Sequence, residues 1–146
     1  MARRRTQEAR VRHAWEASGV HVWFHYTTLE HAREIAAQRR YVVSGKGHQR
    51  VGSGLFLTNI APGSKDEDEM RKDLFAYQRP PDLLQGVIVL ARNEDVLPTE
   101  QYAQHKWVHR APAGAVLDLT ETFLGYGQRN EFNGEWIFSD SLHVVA

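Results

Sequence analysis

Two kinds of apolar run alternate along this chain. VHVWFHY, from Val20 to Tyr26, is rich in β-branched and aromatic side chains and predicts a buried strand. Leu29, Ala32, Ile35 and Ala36 then recur at helical spacing. They follow Thr27-Thr-Leu-Glu30, a capping-box pattern, so a helix is expected to run to about Arg39. Short strands at Tyr41–Val43 and Gly54–Thr58 flank a glycine-rich loop. An acidic segment leads into a helix around Glu67–Tyr77, which QRPP ends because proline has no amide hydrogen to donate. Gly86-Val-Ile-Val-Leu-Ala91 is the clearest core strand of the chain.

The second half reads as mostly β, with strands at Lys106–Arg110, Ala115–Leu119, Glu135–Phe138 and Leu142–Val145 between Gly, Pro and Asn turns. At the other end, Thr6 caps a predicted helix with apolar positions at Ala9, Val11, Ala14 and Trp15 and a stop at Gly19. Helices gather early and strands late, which predicts the α+β class with a split antiparallel β-sheet. No repeat, linker or low-complexity segment divides the chain. One domain is expected over 1–146, a basic N-terminal helix (1–19) followed by the core (20–146).

Composition narrows the function classes. The chain has 146 residues, enough to bury one core. Lys plus Arg and Asp plus Glu both number 18, so the neutral whole lacks the footprint of a general nucleic-acid or membrane binder. Residues 1–12 carry five arginines against one glutamate; these could touch RNA, DNA or a partner's acidic surface, and a frayed basic terminus is the commoner reading. The absence of cysteine excludes disulfides and thiolate metal sites and fits a reducing compartment. No apolar run approaches the ~20 residues of a membrane-spanning helix, and the start lacks the apolar core of a secretory signal. The expectation is a cytoplasmic protein, or one delivered to a target cell's cytoplasm, with no membrane partner.

Candidate chemistry sits mainly at element ends. His25 closes a strand immediately before a helix start, where open sheets place ligand groups; a half-buried histidine bonded to a carbonyl is the alternative. The loop from Ser44 to Gly54 holds four glycines with Lys46 and Arg50, a composition suited to cradling phosphate, although no GK[ST] follows it. At its exit, Gly54 would let a ligand approach the backbone and Phe56 would offer a ring face to a planar heterocycle, unless that ring is core. Tyr77, on the helix after the acidic run, reads as a core-facing tyrosine. Glu135, after the turn Asn133-Gly134, opens a late strand, where a solvated strand-end glutamate is the plain reading. His31-Ala-Arg-Glu34 is not HExxH, and His105 with His109 has the i,i+4 spacing but lies in a segment that reads as turn and strand, so no metal site is expected.

FHYTT, then a helix, the glycine-rich loop and GSGLFLTNIAP resemble the ADP-ribosyltransferase superfamily. Within it the resemblance is to the bacterial toxin branch named for its His, Tyr and Asp. Residues 22–62 carry the likeness, and the rest of the chain is compatible in order and length. The resemblance implies NAD as co-substrate and no metal. It makes His25 a ligand of an NAD ribose, with Tyr26 holding the nicotinamide amide through its backbone and Thr27 completing the HYT-like strand end. Phe56 takes the place of the family tyrosine and stacks on nicotinamide, on the strand opened by Gly54. Asn59 stands where the family has aspartate. Tyr77 would be a second stacking ring, and Lys46 or Arg50 would meet the pyrophosphate. Glu135, with His25, is the implied catalytic residue, its carboxylate stabilising the oxocarbenium-like state of nicotinamide–ribose cleavage.

The implied function is that of an NAD-dependent ADP-ribosyltransferase, a bacterial toxin or effector. It would release nicotinamide and transfer ADP-ribose to a macromolecular acceptor, protein or nucleic acid, and a cognate inhibitor or antitoxin would be a further partner. Two alternatives stand beside it. One is an NAD glycohydrolase with water as acceptor. The other, prompted by Phe56 and Asn59 in place of Tyr and Asp, is a non-catalytic NAD- or ADP-ribose-binding module of the same fold.

Overall fold

The chain was analysed as a computed structural model, which describes residues 19, 21–45, 51–63, 67–75 and 84–139. The predicted helix before Gly19 and the predicted strand at Leu142–Val145 lie outside these residues. In chain order the elements are β1 (Val22–Thr27), α1 (Leu29–Gln38), β2 (Arg40–Val42), β3 (Gly54–Leu57), α2 (Glu67–Phe75), β4 (Gly86–Ala91) and β5 (Glu100–Ala103). They continue with β6 (Lys106–Arg110), β7 (Val116–Asp118), β8 (Phe123–Arg129) and β9 (Trp136–Ser139). All pairings are antiparallel and both described helices precede β4, so the class is α+β. No described helix is long and apolar enough to cross a membrane.

The main sheet has the order β1-β4-β8-β9, and a second has the order β3-β6-β5; β2 and β7 form a ribbon. β1 is apolar at nearly every position because both its faces are covered. Val22, Phe24 and Tyr26 join Val87 and Val89 in one buried cluster with Met70 of α2 and Trp136. Trp23 joins Ile88 and Leu90 in the other, with Ala32, Ile35 and Ala36 of α1 and Leu55 and Leu57 of β3. A strand buried on both faces has no alternation to display.

α1 begins at Thr28, whose hydroxyl accepts from the His31 amide at 3.2 Å. The cap therefore lies one residue later than the capping-box pattern indicates, and Glu30 stands in the first turn without the reciprocal role. α1 ends on Arg39 in the left-handed region (φ 55°), whose amide donates to the Ile35 carbonyl at 2.7 Å. The helix lies close on β4: a Cβ at Gly86 would come within 2.8 Å of Ala32 Cβ and 2.9 Å of the Thr28 carbonyl oxygen.

Two strands depart from the expectation. β8, FLGYGQR, is central to the main sheet, yet its glycines make it look like a turn. At Gly127 the missing Cβ is filled by the Phe138 ring, 2.8 Å from where that atom would stand. β5, EQYA, is largely exposed and pairs only with β6, so it carries no buried run to detect.

Candidate active site

The main and second sheets meet at a bridge between Phe24 and Thr58, each donating to the other's carbonyl at 2.9 Å. Backbone groups alternate sides along a strand, so the Tyr26 amide and carbonyl share the β3-facing edge with those of Phe24. His25, between them, sends its side chain to the face that carries Trp23 and α1. Its Nδ1 lies 2.8 Å from the Phe56 carbonyl oxygen.

That contact fixes the tautomer. A carbonyl oxygen only accepts, so Nδ1 carries the proton and, in the neutral ring, Nε2 keeps a lone pair. Burial pushes the His25 pKa below its ordinary value of 6.5; the Phe56 carbonyl opposes this, and nearby His31 adds to the lowering. The shift favours the neutral ring. Among the described residues Nε2 has no hydrogen-bond partner. A ring N acceptor at a sheet edge suits a hydroxyl donor.

One aromatic ring adjoins His25, and a second aromatic pair lies on β3 and β5. Tyr41 of β2 meets His25 edge-on, with centroids 5.1 Å apart and planes at 76°. Phe56 is half-buried and points away from Leu55 and Leu57, its ring edge-on to Tyr102 of β5 at 5.9 Å. Burial raises the pKa of both tyrosines. Neither tyrosine stands out in the sequence, because their proximity to His25 and Phe56 is created by pairing distant segments.

Other expected site residues have structural duties. The Tyr26 phenol turns into the opposite cluster, donating to the Ile60 carbonyl at 2.8 Å and meeting Trp136 edge-on at 5.8 Å. Thr27 is buried at the strand end. Gly54 owes its identity to packing: an added Cβ would run into the His109 carbonyl of β6 and lie 2.8 Å from Val108 Cγ2. That crowding replaces ligand approach as the reason for glycine there. The Asn59 Oδ1 lies 2.9 Å from His105 Nδ1, at the tip of the β5–β6 hairpin, while the Thr58 hydroxyl donates to the His105 carbonyl at 2.6 Å. These bonds secure His105 in a left-handed conformation, φ 63°. Lys46, Arg50 and Tyr77 lie outside the described residues.

Glu135 is not brought to His25. The row through His25 crosses the main sheet by Ile88 and Tyr126 to Ser139, and Glu135 lies four residues before Ser139. Three strand spacings and four residues place it on the order of 20 Å from His25 in the plane of the sheet. It is exposed, its amide donating to Asn133 Oδ1 at 2.9 Å and its carbonyl accepting from Asn130. Among the described residues, no group of three His, Asp or Glu side chains is placed to hold a metal ion.

No family model, curated protein or solved structure matches this chain.

Proposed function

We propose that the chain is an NAD-dependent ADP-ribosyltransferase, with the dinucleotide lying across the junction of the two sheets beside His25. The observation that carries this reading is the His25–Phe56 contact, which leaves Nε2 of a neutral imidazole as an acceptor for a ribose hydroxyl. The β3-facing edge of Tyr26 supplies peptide groups for the nicotinamide amide. Phe56 and the neighbouring tyrosines supply aromatic surface for the rings. In the reaction the bond between nicotinamide nitrogen and ribose C1 breaks, and nicotinamide leaves as a neutral molecule. A nucleophile of the acceptor forms the new bond to C1 and gives up its proton. The sequence resemblance to the toxin branch supports a macromolecular acceptor and a cognate inhibitor; it also assigns the developing cation to Glu135, an assignment that the strand geometry opposes.

The position of Glu135 favours a second reading. With that carboxylate some 20 Å from His25 by strand geometry and Asn59 engaged with His105, a module that binds NAD or ADP-ribose without consuming it also fits. Incubation with NAD labelled on the adenylate, alone and with cell extract, separates the cases. Label joined to protein or nucleic acid establishes the transferase, and free ADP-ribose establishes a glycohydrolase. Intact NAD from a folded protein that binds it establishes the module.

A further inference from the structure

We infer that Tyr41 supplies the phenol of the nucleotide site, its hydroxyl meeting the same ribose that His25 meets. This rests on the proposed NAD reading and deepens it. The motif around Phe56 has an aromatic ring but no hydroxyl there, and the structure brings a tyrosine to His25 from a different strand. Tyr41 is paired with Leu117 across the β2–β7 ribbon, which sets its height beside α1. Its ring is half-buried, packed on the cluster that holds Trp23 and Ile88, and stands edge-on to the imidazole at 5.1 Å.

The half-buried Tyr41 hydroxyl forms no hydrogen bond among the described residues and is not shut off from solvent, so it is open to a ligand. On the adjoining imidazole, Nε2 of His25 likewise has no hydrogen-bond partner among the described residues. One group can accept from a donor, and the other can both give and accept. A vicinal diol satisfies the two together: one hydroxyl donates to Nε2 and its neighbour exchanges a bond with the phenol. Ribose carries such a diol, and each half of NAD offers one.

Tyr41→Phe isolates the hydroxyl, because the ring that packs against His25 remains. Calorimetric titration with NAD and with NAD analogues lacking the 2′-hydroxyl on one ribose or the other reads the effect directly. The expected result is an affinity for NAD about tenfold weaker in Tyr41→Phe, with an unchanged unfolding midpoint. For the analogue missing the contacted hydroxyl, wild type and variant bind alike. Equal NAD affinity in a folded wild type and Tyr41→Phe overturns the assignment of Tyr41 while leaving the NAD reading in place. A folded wild type that binds no NAD overturns both.

Discussion

His25 and Phe56, 31 residues apart in sequence, are joined by a hydrogen bond of 2.8 Å from the imidazole Nδ1 to the main-chain carbonyl. The bond spans the place where the two sheets meet. It also decides the chemistry of the ring by reserving Nε2 as an acceptor.

Acid stability should report this histidine. Its folded pKa is lowered below 6.5, chiefly by burial. At a pH between the two values the unfolded chain takes up a proton that the folded chain refuses, so stability falls as pH drops below about 6.5, until the folded pKa is reached. His25→Gln removes that component. Thermal unfolding between pH 7.5 and 5 is expected to show a shallower decline for the variant than for wild type, and parallel declines would contradict the burial argument.

Tyr26→Phe separates side chain from backbone at the strand end. Loss of the buried bond to the Ile60 carbonyl should cost about 1–2 kcal/mol in denaturant unfolding. NAD binding should be unchanged, since the phenol lies on the face opposite His25. Weakened binding at unchanged stability would instead place that phenol in the site.

Gly54→Ala tests whether glycine is needed there for packing. The added methyl meets a main-chain carbonyl that cannot rotate away, so a loss of about 1–3 kcal/mol is expected. A variant as stable as wild type but weakened in NAD binding would restore ligand approach as the reason for that glycine.

The start of α1 offers a local check on the frame around His25. Thr28→Ala should lower stability by about 1 kcal/mol, and Thr28→Ser should retain most of it, because the hydroxyl bond to the His31 amide is what caps the helix. No difference between the two variants would remove Thr28 from the cap.

The sequence reveals elements whose burial leaves a period or a continuous run. β1, α1, β4 and β6 were expected within two residues of where they stand. β8 escapes because Gly125 and Gly127 count against a strand in isolation, although the Phe138 ring of the neighbouring strand fills the space at Gly127. β5 escapes because it is an exposed edge. At the site, His25 is legible from its place between a strand and a helix. Tyr41 and Tyr102 are not, since no local pattern encodes which distant ring will face which. Asn59 shows the converse: its place in a motif suggested a ligand contact, whereas its amide meets His105 across the strand pair.

The most direct test of the account is the nitrogen resonance of His25 in protein labelled with 15N-histidine, assigned through His25→Gln and followed as NAD is added. The expected result is a neutral ring at pH 7 with the proton on Nδ1, and an Nε2 signal that moves to hydrogen-bonded values as the ribose hydroxyl donates to it. An imidazole protonated on Nε2, or a His25 signal indifferent to saturating NAD, would contradict it.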